Sequence, residues 1–158
     1  MSSQSTEPPY SDLPPLSPLL FEAKNKKGCT FQQIADHMNK GEVWVAAGFY
    51  GQAKFTDEEL KQLSTFLGIS SATAISNNAW LPNRGIGPIP PKDPLIYRLF
   101  EGILVYGHVI KAIIHEKFGD GIMSMINCKI YVEKKPDPAG GERVLLTFDG
   151  KFLPYARW

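Results

Sequence analysis

Arg98 and Glu101 stand three residues apart in a stretch that reads as helix, so their side chains share one face and can form a charge-assisted pair. A guanidinium is a permanently charged planar fork suited to a small anion, and a neighbouring carboxylate can orient that fork or move a proton. Ser124 closes the run FGDGIMS from Phe118, whose two glycines permit backbone conformations that present free amides to an anion. No GxSxG elbow surrounds Ser124 and no histidine stands near it in a triad pattern, so it is expected to hydrogen-bond rather than to be acylated. Each feature also has a plain explanation. An exposed i, i+3 ion pair is worth only a few tenths of a kcal/mol, and a glycine-rich run after a helix is a common stop and turn.

The elements that must position these residues follow from pattern. Asp93 as cap and Pro94 in the first turn predict a long helix running to about Phe118, with Gly119 in a left-handed stop. At about 100° per residue, Ile96, Leu99, Ile103, Ile110 and Ile114 form one stripe, read as core. The opposite side carries Arg98, Glu101, Gly102, Val105, Val109 and Ala112, a face too small and apolar for solvent. That second face is expected to pack on another subunit, leaving the Arg and the carboxylate in a partly desolvated cleft.

Beyond Gly121 the period changes. Cys128, Ile130 and Val132 alternate with Lys129, Tyr131 and Glu133, and Val144–Phe148 and Lys151–Leu153 supply two further short apolar pieces around Asp149-Gly150. Pro136–Gly141 is the connecting loop. Two or three such strands are marginal alone, so the sheet is expected to be completed by a partner chain. Upstream, residues 1–16 are proline-rich and polar, and read as a disordered tail. Residues 17–80 read as a helical domain, with Thr30–Gln33 and Thr56–Glu59 at capping-box spacing. Residues 81–92 hold most of a second run of prolines and glycines and form the linker, and 93–158 are the catalytic and dimerisation domain. The fold class is α+β: an N-terminal helical bundle resembling a helix-turn-helix, then a long helix and a small β unit completed by an intertwined dimer partner.

A formal charge of +1, from 17 basic and 16 acidic residues, gives no bulk field for nucleic acid or anionic lipid, so any anion must be caught locally. Cys29 and Cys128 lie far apart and form no CxxC pair, and both read as reduced core residues. His37, His108 and His115 show no metal spacing, for Gly119 stands where HExxH would need its second histidine. No apolar run suits a signal peptide or a membrane span, which makes the cytoplasm the default location.

The run YRLFEGILVYGHVIK from Tyr97 to Lys111, HEKFGDGIMSMINCKI from His115 and GGERVLLTFDGKFLPY from Gly140 to Tyr155 closely resemble cyanase, also called cyanate hydratase or cyanate lyase. FQQIADHMNK, from Phe31 to Lys40, resembles that family's N-terminal domain. The resemblance implies a lyase in which bicarbonate attacks cyanate, the adduct loses carbon dioxide, and carbamate decomposes to ammonia and a second carbon dioxide. It further implies Arg98, Glu101 and Ser124 as the catalytic residues, no metal or organic cofactor, and bicarbonate as co-substrate. The implied assembly is a decamer of five dimers with active sites built across subunits.

A DNA-binding regulator is the competing reading, because Phe31 to about Gly51 has helix-turn-helix form. The second helix, GEVWVAAG, offers no Arg, Lys, Asn or Gln to read base edges, which argues against nucleic acid as a partner. Trp44, Val45, Phe49 and Tyr50 are instead expected to form an apolar surface for subunit packing. A catalytically inactive relative retained as a scaffold is the third option.

Overall fold

The computed structural model describes residues 13–158. The expected disordered tail therefore lies outside the described residues up to position 12, and from Leu16 the chain is already helix. Five helices make up the N-terminal part: α1 Leu16–Lys27, α2 Phe31–Met38, α3 Glu42–Phe49, α4 Asp57–Leu67 and α5 Ser71–Ser76. Both anticipated capping boxes form. Thr30 Oγ1 accepts the Gln33 amide at 3.1 Å while Gln33 returns the bond, and Thr56 and Glu59 repeat the arrangement. Each box satisfies amides that a helix start leaves unpaired.

Leu20, Ile34, Val45, Phe49, Leu60 and Leu63 are fully buried and centre one core, with Phe55 from the loop before α4. Phe49 receives Phe21 and Phe31 edge-on at 5.5 and 5.2 Å. Two of the apolar residues around α3 thus serve this chain's own interior, and two keep part of their surface open. Val45 and Phe49 are buried, Trp44 packs on Phe55 and Tyr50 on Phe21. Their apolar character was legible in the sequence, but which surface they meet was not.

After α5 the chain continues without helix or strand to Asp93. Its first part is fastened rather than free: Lys54 Nζ donates to the carbonyls of Asn78 and Trp80, and Gln52 bridges the Asn83 carbonyl and the Gly85 amide. Ile89-Pro90 is a cis peptide. The long helix α6 spans Pro94–Phe118, with Asp93 Oδ1 accepting the amides of Leu95 and Ile96 at 3.0 Å and proline in the first turn. Gly119 ends it with φ +89 and ψ −160, a conformation that favours glycine but is not the left-handed helical stop expected.

Two antiparallel strands follow, β1 Gly121–Pro136 and β2 Glu142–Pro154, in one hairpin. Of the two or three strands expected, two form among the described residues, because β2 runs straight through Asp149-Gly150. That dipeptide signals a turn only when space allows a reversal, and here β1 lies alongside. Tyr155 donates to the Asp120 carbonyl near the helix, and Asp137 donates to the Gly141 carbonyl at the tip. Between those two bonds β1 carries more residues than β2, so β1 must bulge. The chain separates into two compact units: the helices through Gly85 with the hairpin's outer half, Ile130–Leu146, and Ile86–Lys129 with Thr147–Trp158. Among the described residues no helix is long and apolar enough to cross a membrane.

Candidate active site

The helix α6 places Arg98 and Glu101 in its first two turns on one face, and Arg98 Nη1 donates to Glu101 Oε2 at 2.5 Å. Their side chains remain 76% and 44% exposed within the chain. The reason lies in the helix itself: no residue of α6 is buried. Ile96, Leu99, Ile103 and Ile110, expected as core, are exposed, and so are Val105 and Val109 on the opposite face. The sequence pattern identified apolar faces correctly but assigned one of them to the chain's own core. Gly121, Ile122 and Met123 line a groove of about 550 Å³ with Ile103, Gly107 and Ile110, which leaves much of that stripe open.

Ser124 is the opposite case, 4% exposed and inside β1. Its Oγ accepts the amides of Ile126 at 3.1 Å and Asn127 at 2.8 Å. Serine commonly takes local amides in this way, in competition with the strand ladder. With its acceptor capacity used by the chain, the hydroxyl proton is what remains to offer an anion. Of the two glycines before it, Gly119 takes a positive φ. Gly121 lies in the strand without a positive φ, and its missing Cβ makes room for the Leu153 carbonyl and the Phe152 ring.

Hydrogen bonding thus joins Arg98 to Glu101 and Ser124 to its own strand, and no hydrogen bond or ion pair connects the two sets among the described residues. The arrangement can hold a cation oriented by a carboxylate, and separately a hydroxyl donor of fixed position. Sequence reasoning missed the Ile126 and Asn127 amides, which donate to Ser124 from two and three residues further on. His108 and His115 lie on α6, and Cys29 and Cys128 are unpaired.

Residues 88–157 match the family described as cyanate lyase C-terminal domain. Cyanate hydratase of Laccaria bicolor is 64% identical over 151 residues, covering 94% of this chain and 91% of that protein. Cyanate hydratase of Coprinopsis cinerea is 65% identical over 146 residues, covering 91% of this chain and 96% of that protein. The solved structure described as cyanase from T. urticae aligns with a TM-score of 0.79 at 41% identity, covering 89% of this chain and 97% of that one.

Proposed function

This chain belongs to the cyanate hydratase family, a lyase acting on cyanate, and from that premise we propose that it runs a bicarbonate-dependent reaction at Arg98, Glu101 and Ser124. Bicarbonate oxygen attacks the cyanate carbon, forming a C–O bond and a dianionic adduct. Cleavage on the bicarbonate side releases carbon dioxide and leaves carbamate, which splits into ammonia and a second carbon dioxide. Two protons are taken up overall, so charge balances.

Both substrates are anions, and the chief physical problem is to hold two like charges together and stabilise their sum with fixed donors in a dry site. Arg98 is the counter-charge. The 2.5 Å bond to Glu101 supports an orienting role for that carboxylate, since a bare carboxylate beside two anions would repel them. Ser124 donates its proton to the substrate while the Ile126 and Asn127 amides hold its oxygen. No metal or organic cofactor is assigned a step, and bicarbonate is a co-substrate.

The observation that carries the assembly part of this reading is a 25-residue helix with nothing buried, bearing the Arg–Glu pair in the open. Covering one exposed Leu, Ile or Val side chain contributes about 1.5–3 kcal/mol, which supports chains closing over both faces of α6 and drying the pair. We assign the complete site to an assembly with active sites shared between subunits, a decamer of five dimers, in the cytoplasm. Ammonia release from cyanate tests the reaction. Turnover should need added bicarbonate in carbon-dioxide-depleted buffer, and equal rates without it would overturn the co-substrate role.

A further inference from the structure

Gly150 sits in β2, partly buried, with a φ outside the left-handed region, so no backbone conformation demands glycine there. A strand interior ordinarily favours a side chain, because glycine leaves nothing to pack and orders at a greater entropic cost. What excludes a side chain is space. A Cβ at this position would lie 2.6 Å from the Ser124 carbonyl oxygen and 2.6 Å from Met123 Cγ. A methionine can swing aside, whereas a strand carbonyl cannot move without taking its residue along.

We propose that Gly150 is a positioning residue for the anion site, because its missing side chain lets β2 press against the Ser124 peptide and fix where the Ser124 hydroxyl points. The inference rests on the reading of Ser124 as a substrate donor given above. Ser124 is anchored from two directions: its oxygen by the Ile126 and Asn127 amides, its carbonyl by the close approach of β2. Gly121, three residues earlier in β1, makes a similar approach to the Leu153 carbonyl, so the strands are close on that side as well. A methyl group at 150 shifts the Ser124 peptide, misplaces its hydroxyl, and leaves Arg98 and Glu101 untouched.

The test compares native protein, Gly150→Ala, Ser124→Ala and the double variant Met123→Ala/Gly150→Ala for cyanate turnover, assembly mass and amide exchange. Gly150→Ala should lose about tenfold or more in kcat with a smaller change in KM, at unchanged mass. The Ile126 and Asn127 amides should exchange faster while the amides of the helical core do not. Removing the Met123 side chain should fail to restore turnover, since the Ser124 carbonyl is the atom that cannot yield. Turnover within twofold of native, recovery in the double variant, or failure of both Gly150 variants to assemble would each overturn the proposal, the last because the glycine would then serve the hairpin as a whole. Full turnover by Ser124→Ala would instead overturn the reading of the site, and the amide-exchange result would still report on Gly150 separately.

Discussion

At the scale of single residues, the proposed chemistry turns on donors whose geometry cannot be replaced by charge alone. Arg98→Lys keeps the cation but loses the planar fork that Glu101 holds, and turnover should fall roughly 100-fold while circular dichroism stays native. A loss of less than threefold would show that a point charge suffices. Asp137 behaves differently. Its carboxylate accepts the Ala139 amide at 2.8 Å and the Arg143 guanidinium at 3.0 Å, which together hold its pKa below the ordinary 3.8. The folded value is the lower one, so this contribution to stability is present above the unfolded pKa and is lost as pH falls through the folded one, below about pH 4. Carboxyl NMR titration should place the midpoint under 3.8, and a midpoint above it contradicts the assigned bonds. Arg98 and Glu101 were legible because i, i+3 spacing fixes their adjacency. The surroundings of Ser124 were not, because Gly150 reaches it from another strand.

At the scale of elements, what is set within a few residues read true. Thr30, Thr56 and Asp93 cap the helices expected of them, because a cap needs only its own side chain and the next turn's amides. Replacing Thr30 by Ala should lower unfolding stability by about 1 kcal/mol, measured by denaturant titration. Ser64 reverses that logic. Its hydroxyl is buried in α4 with no hydrogen-bond partner among the described residues, so Ser64→Ala removes an unsatisfied group and favours the helix. Stabilisation by about 1 kcal/mol is expected, and a destabilised variant would mean that the hydroxyl is satisfied in solution. Where elements meet distant partners, pattern misled. Asp149-Gly150 has the composition of a hairpin turn, yet it lies inside a strand whose neighbour needs the space. The apolar character of α3 was plain, but its Val45 and Phe49 face this chain's own core, with Phe21 and Phe31 against Phe49.

At the scale of the molecule, one chain holds a well-packed helical core and a long helix with no buried residue. A helix apolar on two sides was visible from the sequence as a demand for company, and the exposed stripes make that demand larger than expected, since even the supposed core side is open. We propose accordingly that the working site lies in the assembly, with Arg98 and Glu101 of one chain completed by Ser124 of another. Co-expression of an Arg98→Lys chain with a Ser124→Ala chain, purified as hybrids through two different tags, tests this directly. Some shared sites then draw both intact residues, and cyanate turnover should rise well above either variant alone, to as much as roughly a quarter of native for random mixing. Hybrids no more active than the separate variants would contradict it, placing Arg98 and Ser124 of each site in a single chain.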